Sequence, residues 1–182
     1  MIFGGSDIIW SKRQHKRDHP SHVVRLGCYP LIVDSIIHKK RLTKVLMDGG
    51  SGLNILYIDT LDAMHIPQLK LCLVGSPFHG VILGAHAYPL GQIDLPVMFG
   101  NRAILKVVDF LGSYHAILRR PCYAKCMAIP NYTYLKLKIL GPNGVIVSSA
   151  FSHAFTCDHE HYELATVVIN SSKLLQHGNH RS

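Results

Sequence analysis

Val45-Leu46-Met47-Asp48-Gly49-Gly50-Ser51 is the stretch that decides the fold, because an acidic residue ends an apolar run and small residues follow it at once. Glycines let backbone amides, or a second chain, come close to such an acid. Two carboxylates held face to face share a proton, and the pair can activate a water molecule. Asp48 is therefore a candidate catalytic acid, although an Asp-Gly-Gly turn alone is also an ordinary turn.

The sequence on both sides of this stretch predicts short strands separated by turns. Pro30–Ile37 and Arg41–Met47 are predicted to pair around a polar turn at residues 38–40. Phe78–Leu90 is apolar and carries Gly80 and Gly84, which predicts a hairpin with glycine conformations at its tip. Other predicted strands are Leu71–Val74, Asp94–Phe99, Ala103–Phe110, Tyr114–Leu118 and Tyr132–Ile139, with short helices at Ile58–Met64 and from Pro121 to about residue 128.

This pattern predicts an all-β, barrel-like domain over residues 25–140 with one or two short helices. Residues 1–24 are predicted to be a basic flexible linker, and residues 141–182 a polar, largely irregular connector with a helical turn near Tyr162–Val168. The chain has 182 residues, of which 48% are hydrophobic and 16% charged, so one domain with a real core is expected.

The five cysteines are odd in number and scattered, which indicates reduced thiols in an intracellular, most simply cytoplasmic, protein. Met1–Trp10 lacks the basic start and apolar run of a secretory signal. No stretch approaches the roughly 20 apolar residues that span a bilayer. We expect a soluble protein without a membrane partner.

Two further segments make the pattern specific. The catalytic-type turn at residues 45–54 is followed by a short helix and a glycine-containing hairpin, and then by Tyr114-His115-Ala116-Ile117-Leu118 before an Arg-Pro helix start. This order resembles the retropepsin-like aspartic proteases, and the wording is closest to those of plant gypsy-type retrotransposon Gag-Pol polyproteins. Family segments there read Val-Leu-Met-Asp-Gly-Gly-Ser-Gly-Leu-Asn and Tyr-x-Ala-Ile-Leu-Gly-Arg-Pro. The resemblance covers most of residues 22–150.

The resemblance implies a closed barrel that forms half of an aspartic-protease dimer. Asp48 would be the catalytic acid, supported by Gly49, Gly50 and Ser51. Phe78, Gly80, Val81 and Gly84 would belong to a flap that closes over an extended peptide substrate, and Ile117 and Leu118 would pack beneath the catalytic loops. Because the chain holds one Asp-x-Gly-Ser turn, a dyad needs a second copy of the chain related by a two-fold axis. No cofactor or metal is implied.

The chain departs from the family pattern at several places. Gly49 stands where retropepsins in general usually carry Thr or Ser, whose hydroxyl braces the dyad. Arg119 replaces the family glycine, which predicts backbone strain if that position needs positive φ. The hairpin around Gly100–Lys106 is shorter than in relatives, which predicts a disturbed strand pairing, and the segment Lys16–Asp18 joins stretches that are separate in relatives. A weakened or inactive protease, or a catalytically silent binding or dimerising module, is therefore also expected.

Two rival interpretations remain open. The net charge of +8 is concentrated in Lys12–Arg17 and Lys39–Lys44, which allows nucleic-acid association, although a solvated linker and turn explain both runs as well. Cys157-Asp158-His159-Glu160-His161 invites a metal site, but zinc favours paired Cys and His at wider spacing. Cys122 and Cys126 lie one helical turn apart, which more often indicates core packing.

Overall fold

The computed structural model describes residues 29–50, 52–74, 78–79, 86–97, 101–109, 112–141, 143–149 and 157–167. Its strands are β1 (Ile32–Ile37), β2 (Lys40–Met47), β3 (Asn54–Tyr57), β4 (Phe78–His79), β5 (His86–Ala87), β6 (Gly91–Val97), β7 (Asn101–Val108), β8 (Ala116–Leu118), β9 (Ala128–Asn131), β10 (Lys136–Gly141) and β11 (Gly144–Ser149). The helices are α1 (Ile58–Ala63), α2 (Arg120–Cys126) and α3 (residues 157–167), with a 3-10 turn at Gln68–Lys70.

Six strands close into a barrel in the order β1-β2-β8-β3-β7-β6. β8 lies between β2 and β3 in the barrel, parallel to β2 and antiparallel to β3. Side chains alternate between the interior and solvent, as in β7, where Ala103, Leu105 and Val107 are buried while Arg102 and Ile104 are exposed. The prediction of an all-β closed barrel with few short helices is confirmed.

Strand β3 was not predicted, because Asn54 interrupts the apolar run that would have marked it. Asn54 is buried, and its side-chain amide donates to the carbonyl of Ile104 on β7 while its carbonyl oxygen accepts from the Arg119 amide. A buried amide with both ends satisfied is tolerated within a sheet. In contrast, the predicted strand Leu71–Val74 contributes only a single bridge, between Cys72 and Gln92.

The hairpin of β6 and β7 pairs without interruption from Gly91↔Val107 to Val97↔Asn101. The expectation that a shortened hairpin would disturb this pairing was wrong, since the register holds along the whole of β6. Alternation of buried residues on both strands fixes that register, because a slip by one residue would turn the apolar side chains to solvent.

Among the described residues after 140, a strand (β11) and a helix (α3) are present where the sequence predicted a largely irregular connector. β11 pairs with β10 over six residues, from Lys136↔Ser149 to Gly141↔Gly144, and β9 pairs with the other edge of β10. α3 packs against the barrel through the buried Cys157, and the Lys44 ammonium binds both carboxylate oxygens of Glu160 at 2.7 and 2.9 Å. The apolar run Val145-Ile146-Val147 was predicted to belong to the irregular connector because polar residues surround it.

Candidate active site

Asp48 directly follows β2, where the strand leaves the barrel. Its amide donates to the carbonyl of Leu118 at 2.9 Å, which continues the parallel pairing of Met47 with Leu118. Leu118 is fully buried and Ile117 nearly so. Leu118 therefore fixes the start of the Asp48 turn from the adjacent strand, and the packing of Ile117 and Leu118 beneath the catalytic loops stays a prediction.

The Asp48 carboxylate has two different neighbours. Its Oδ1 accepts from the Gly50 amide at 2.8 Å, and its Oδ2 lies 3.0 Å from Nε of Arg119. The side chains are 35% exposed for Asp48 and 20% exposed for Arg119. Because the buried Arg119 Nε makes no hydrogen bond, this second contact is an ion pair without hydrogen-bond alignment.

Arg119 has an ordinary extended backbone, with φ −125° and ψ −169°. Its amide donates to Asn54 Oδ1 at 2.9 Å, and its carbonyl accepts the first amide bonds of α2, from Cys122 and Tyr123. Backbone strain was expected here only if the position needed positive φ, and the observed φ does not meet that condition. What the arginine changes is the side chain, which reaches the carboxylate of Asp48.

Tyr132 covers the other side of the turn. Its hydroxyl accepts from the Gly49 amide at 3.0 Å and lies 3.2 Å from the hydroxyl of Tyr123. Burial, and then the hydrogen bond with Tyr132, raises the pKa of Tyr123 far above its usual range, so this phenol stays protonated. A Cβ added at Gly49 would lie 3.1 Å from the Tyr132 hydroxyl. The tyrosine therefore stands beside the place that a Thr or Ser side chain would enter.

Sequence reasoning placed Tyr132 at the start of the predicted strand Tyr132–Ile139 and missed this contact. The tyrosine lies 83 residues from Gly49, beyond α2 and β9, so no local spacing connects the two. Likewise, Arg119 was expected to strain the backbone, and its ion pair with Asp48 was not predicted.

An open groove of about 500 Å³ runs past the Asp48 turn. It is lined by Pro30, Leu31, Leu46, Met47, Asp48, Gly49, Gly50 and Tyr132. The lining is therefore mostly apolar, and it also contains the Asp48 carboxylate and the Tyr132 phenol.

The expected flap is described only at its base. Phe78 in β4 pairs with Ala87 in β5, and His79 pairs with His86, so a hairpin is present. Gly80, Val81 and Gly84, like Ser51, lie outside the described residues. Their assigned roles stay predictions.

The second basic run is partly neutralised. Arg41 Nε donates to Asp34 at 3.0 Å, and Lys44 is bound to Glu160. The first run, Lys12–Arg17, lies outside the described residues. Because Arg41 and Lys44 already pair with carboxylates, they are less available to bind phosphates. This weakens the case for nucleic-acid association through the second basic run.

Among the described residues, no three His, Cys, Asp or Glu side chains converge as a metal site would require. Within the same part of the chain, no helix has the length and apolar character to cross a bilayer.

No known protein family matches the sequence, and no curated protein does. Among solved structures, the chain is similar to the crystal structure of the retroviral protease-like domain of Ddi1 from Leishmania major. The two share 16% sequence identity with a TM-score of 0.46, over 71% of this chain and 92% of that one.

Proposed function

We propose that this chain is a retropepsin-type aspartic endopeptidase domain, derived from a plant gypsy-type retrotransposon polyprotein, whose activity is suppressed by Arg119. The observation that carries the proposal is the placement of Asp48. It leaves a buried strand beside an open apolar groove, and the Gly50 amide holds one of its oxygens. The wording of residues 45–54 and 114–121 supports the lineage.

The proposed reaction needs two copies of the chain. With the Asp48 turns facing across a two-fold axis, the two carboxylates hold one proton between them. One carboxylate takes a proton from a water molecule as the oxygen of that water attacks the carbon of the peptide carbonyl. The other donates its proton to the carbonyl oxygen, which gives a tetrahedral gem-diol. As the C–N bond breaks, the first carboxyl passes the proton that it took from water to the leaving amine, and the second carboxylate regains a proton from a gem-diol hydroxyl. The partners would be a second copy and an extended peptide.

Arg119 is the feature that opposes this chemistry. Its guanidinium already pairs with Asp48 Oδ2, so one of the two oxygens needed for the shared proton and the water faces a cation. A fixed positive charge beside each acid competes with a shared proton as the partner of that acid. A smaller residue at position 119 would free this oxygen while leaving the backbone hydrogen bonds of residue 119 in place.

Cleavage of a library of extended peptides at mildly acidic pH tests the proposal. The Arg119→Gly variant is expected to cleave at least about tenfold faster than the parent, which corresponds to about 1.4 kcal/mol of barrier. The double variant Arg119→Gly/Asp48→Asn is the matched control and is expected to be inactive. Equal activity of the single and double variants would refute Asp48 as the catalytic acid.

A catalytically silent binding or dimerising module is the second candidate. The Tyr132 hydroxyl favours it, because it occupies the space beside Gly49 where a bracing side chain would stand. Gly49→Thr therefore has to be combined with Tyr132→Phe and Arg119→Gly to restore the family arrangement. If this triple variant dimerises but still cleaves no peptide, the silent module is favoured over a suppressed enzyme.

A further inference from the structure

Helix α2 carries two cysteines on its buried side. Cys122 and Cys126 are 0% and 2% exposed, and their Sγ atoms are hydrogen-bonded at 3.9 Å. Residues four apart on an α-helix have Cα atoms about 6 Å apart, which is within the range that a disulfide spans. The two thiols are therefore close enough to react with each other.

The two thiols differ in how readily they lose a proton. The Sγ of Cys126 also accepts from the side-chain amide of Asn101 at 3.7 Å. The hydrogen bond with Cys122 lowers the pKa of Cys126, while the same hydrogen bond, and then burial, raises the pKa of Cys122. Because the thiolate is the nucleophile in thiol oxidation, Cys126 is the sulfur that reacts first and Cys122 the one that closes a disulfide.

The carboxyl end of α2 offers a route to Cys126. Cys126 is the last residue of the helix, and the next residue, Met127, is 53% exposed and has a left-handed backbone with φ 46° and ψ 46°. A residue with a Cβ is disfavoured in that conformation, and the Met127 amide lies 3.4 Å from the carbonyl oxygen of Ala124. A helix of seven residues that ends in this way opens locally more readily than the barrel strands do, and such opening brings Cys126 to solvent.

From this arrangement we propose that Cys122 and Cys126 are a reversible oxidation site, which hydrogen peroxide converts into a disulfide within α2. The Cys126 thiolate attacks one peroxide oxygen, the O–O bond breaks, and Cys126 becomes a sulfenic acid. The hydroxide that leaves takes up the proton that Cys126 had lost. The Cys122 sulfur then attacks the Cys126 sulfur, and the sulfenic hydroxyl leaves as water with the Cys122 proton. The thiol pair thus loses two electrons, and the peroxide gains them.

Closing this disulfide changes the shape of α2. Residues four apart on a regular helix have Cβ atoms about 5–6 Å apart, whereas a disulfide needs about 3.5–4.5 Å, so the helix has to tighten or partly unwind. The first amides of α2 bond the Arg119 carbonyl, and its Tyr123 hydroxyl is hydrogen-bonded to Tyr132. Since Arg119 and Tyr132 both contact the Asp48 turn, α2 connects the oxidation site to that turn. The oxidation itself does not depend on the proposed peptidase activity.

Peroxide treatment of the full chain with Cys28→Ser and Cys72→Ser tests the site, because Cys72 is exposed and Cys28 lies outside the described residues. The reaction is stopped with catalase, the chain is denatured, free thiols are alkylated, and mass spectrometry follows each cysteine. Cys122 and Cys126 are expected to be lost together, at least about tenfold faster than Cys157, and dithiothreitol is expected to restore both. Cys157 is the matched control, since it is as deeply buried and burial raises its pKa.

Single serine variants in the same background separate the two roles. In Cys122→Ser, Cys126 is expected to stop at the sulfenic acid, which dimedone traps. In Cys126→Ser, Cys122 is expected to react no faster than Cys157. Should a serine variant fail to fold, the measurement on the intact pair decides alone. If Cys122 and Cys126 are lost no faster than Cys157, or are oxidised without a disulfide between them, the proposal is wrong.

Hydrogen exchange tests the effect on α2. The amides of α2 are expected to exchange faster in the oxidised chain than in the reduced chain, because the disulfide disturbs the helical hydrogen bonds. The β6–β7 hairpin, which carries no cysteine, is the internal reference and is expected to exchange alike in both. Equal exchange of α2 in the two forms would show that the disulfide leaves the helix unchanged and would overturn this part of the proposal.

Discussion

The ion pair between Asp48 and Arg119 can be measured by a double-mutant cycle with Asp48→Asn and Arg119→Gln. Exposed pairs contribute about 0.2–1 kcal/mol, and removing one partner of a fully buried pair costs about 3–5 kcal/mol. This pair lies between those limits, with 35% and 20% of the two side chains exposed and a separation of 3.0 Å. Since hydrogen-bond alignment is missing, we expect a coupling free energy of about 1 kcal/mol.

Urea unfolding followed by circular dichroism supplies the four free energies of unfolding, provided that the urea dependence is unchanged among the variants. The matched control is the pair of Arg102 and Asp94 on the β6–β7 hairpin, also 3.0 Å apart but with side chains 57% and 51% exposed. Its coupling is expected to be at most about 0.5 kcal/mol. An Asp48–Arg119 coupling no larger than that of the control would refute the claim that Arg119 holds Asp48.

Three other perturbations have defined outcomes. Tyr132→Phe removes the acceptor of the Gly49 amide and is expected to cost about 1 kcal/mol in urea unfolding, with a cost near zero counting against the contact. Burial, and then the Lys44 ammonium, lowers the pKa of His115, so folding loses stability as the pH falls below about 6.5. That loss is expected to be smaller in His115→Asn, as equilibrium unfolding between pH 5 and 8 would show; identical pH profiles would contradict it. Glu160→Gln breaks the pair with Lys44 and should speed hydrogen exchange in α3, an effect that 1 M salt would imitate in the parent.

Local sequence was enough to predict the parts of the fold built from neighbouring residues. The hairpin of β1 and β2, the β6–β7 hairpin and the helix that starts at Arg120-Pro121 all follow from alternation, turn residues and proline chemistry. The placement of Asp48 at the end of β2 follows in the same way. Each of these features depends on residues no more than 16 positions apart, the separation of the paired Gly91 and Val107.

Features that depend on distant residues could not be predicted. Asn54 looks like a strand breaker until Ile104 and Arg119 satisfy both ends of its amide. Arg119 and Tyr132 reach Asp48 and Gly49 across 71 and 83 residues of chain, and only the closed barrel brings them together. The strand after residue 143 is stabilised by pairing with β10, a tertiary effect that overrides its polar surroundings.

The central claim is that Asp48 meets its own copy across a two-fold axis, and thiol cross-linking tests it most directly. Asp48→Cys would be placed in a background with Cys28→Ser and Cys72→Ser, because Cys72 is exposed and Cys28 lies outside the described residues. With a short bifunctional thiol reagent, we expect a covalent dimer from Asp48→Cys and none from Asp94→Cys, which replaces an exposed side chain on β6. A dimer from Asp94→Cys alone, or no cross-linked dimer from Asp48→Cys, would contradict the account.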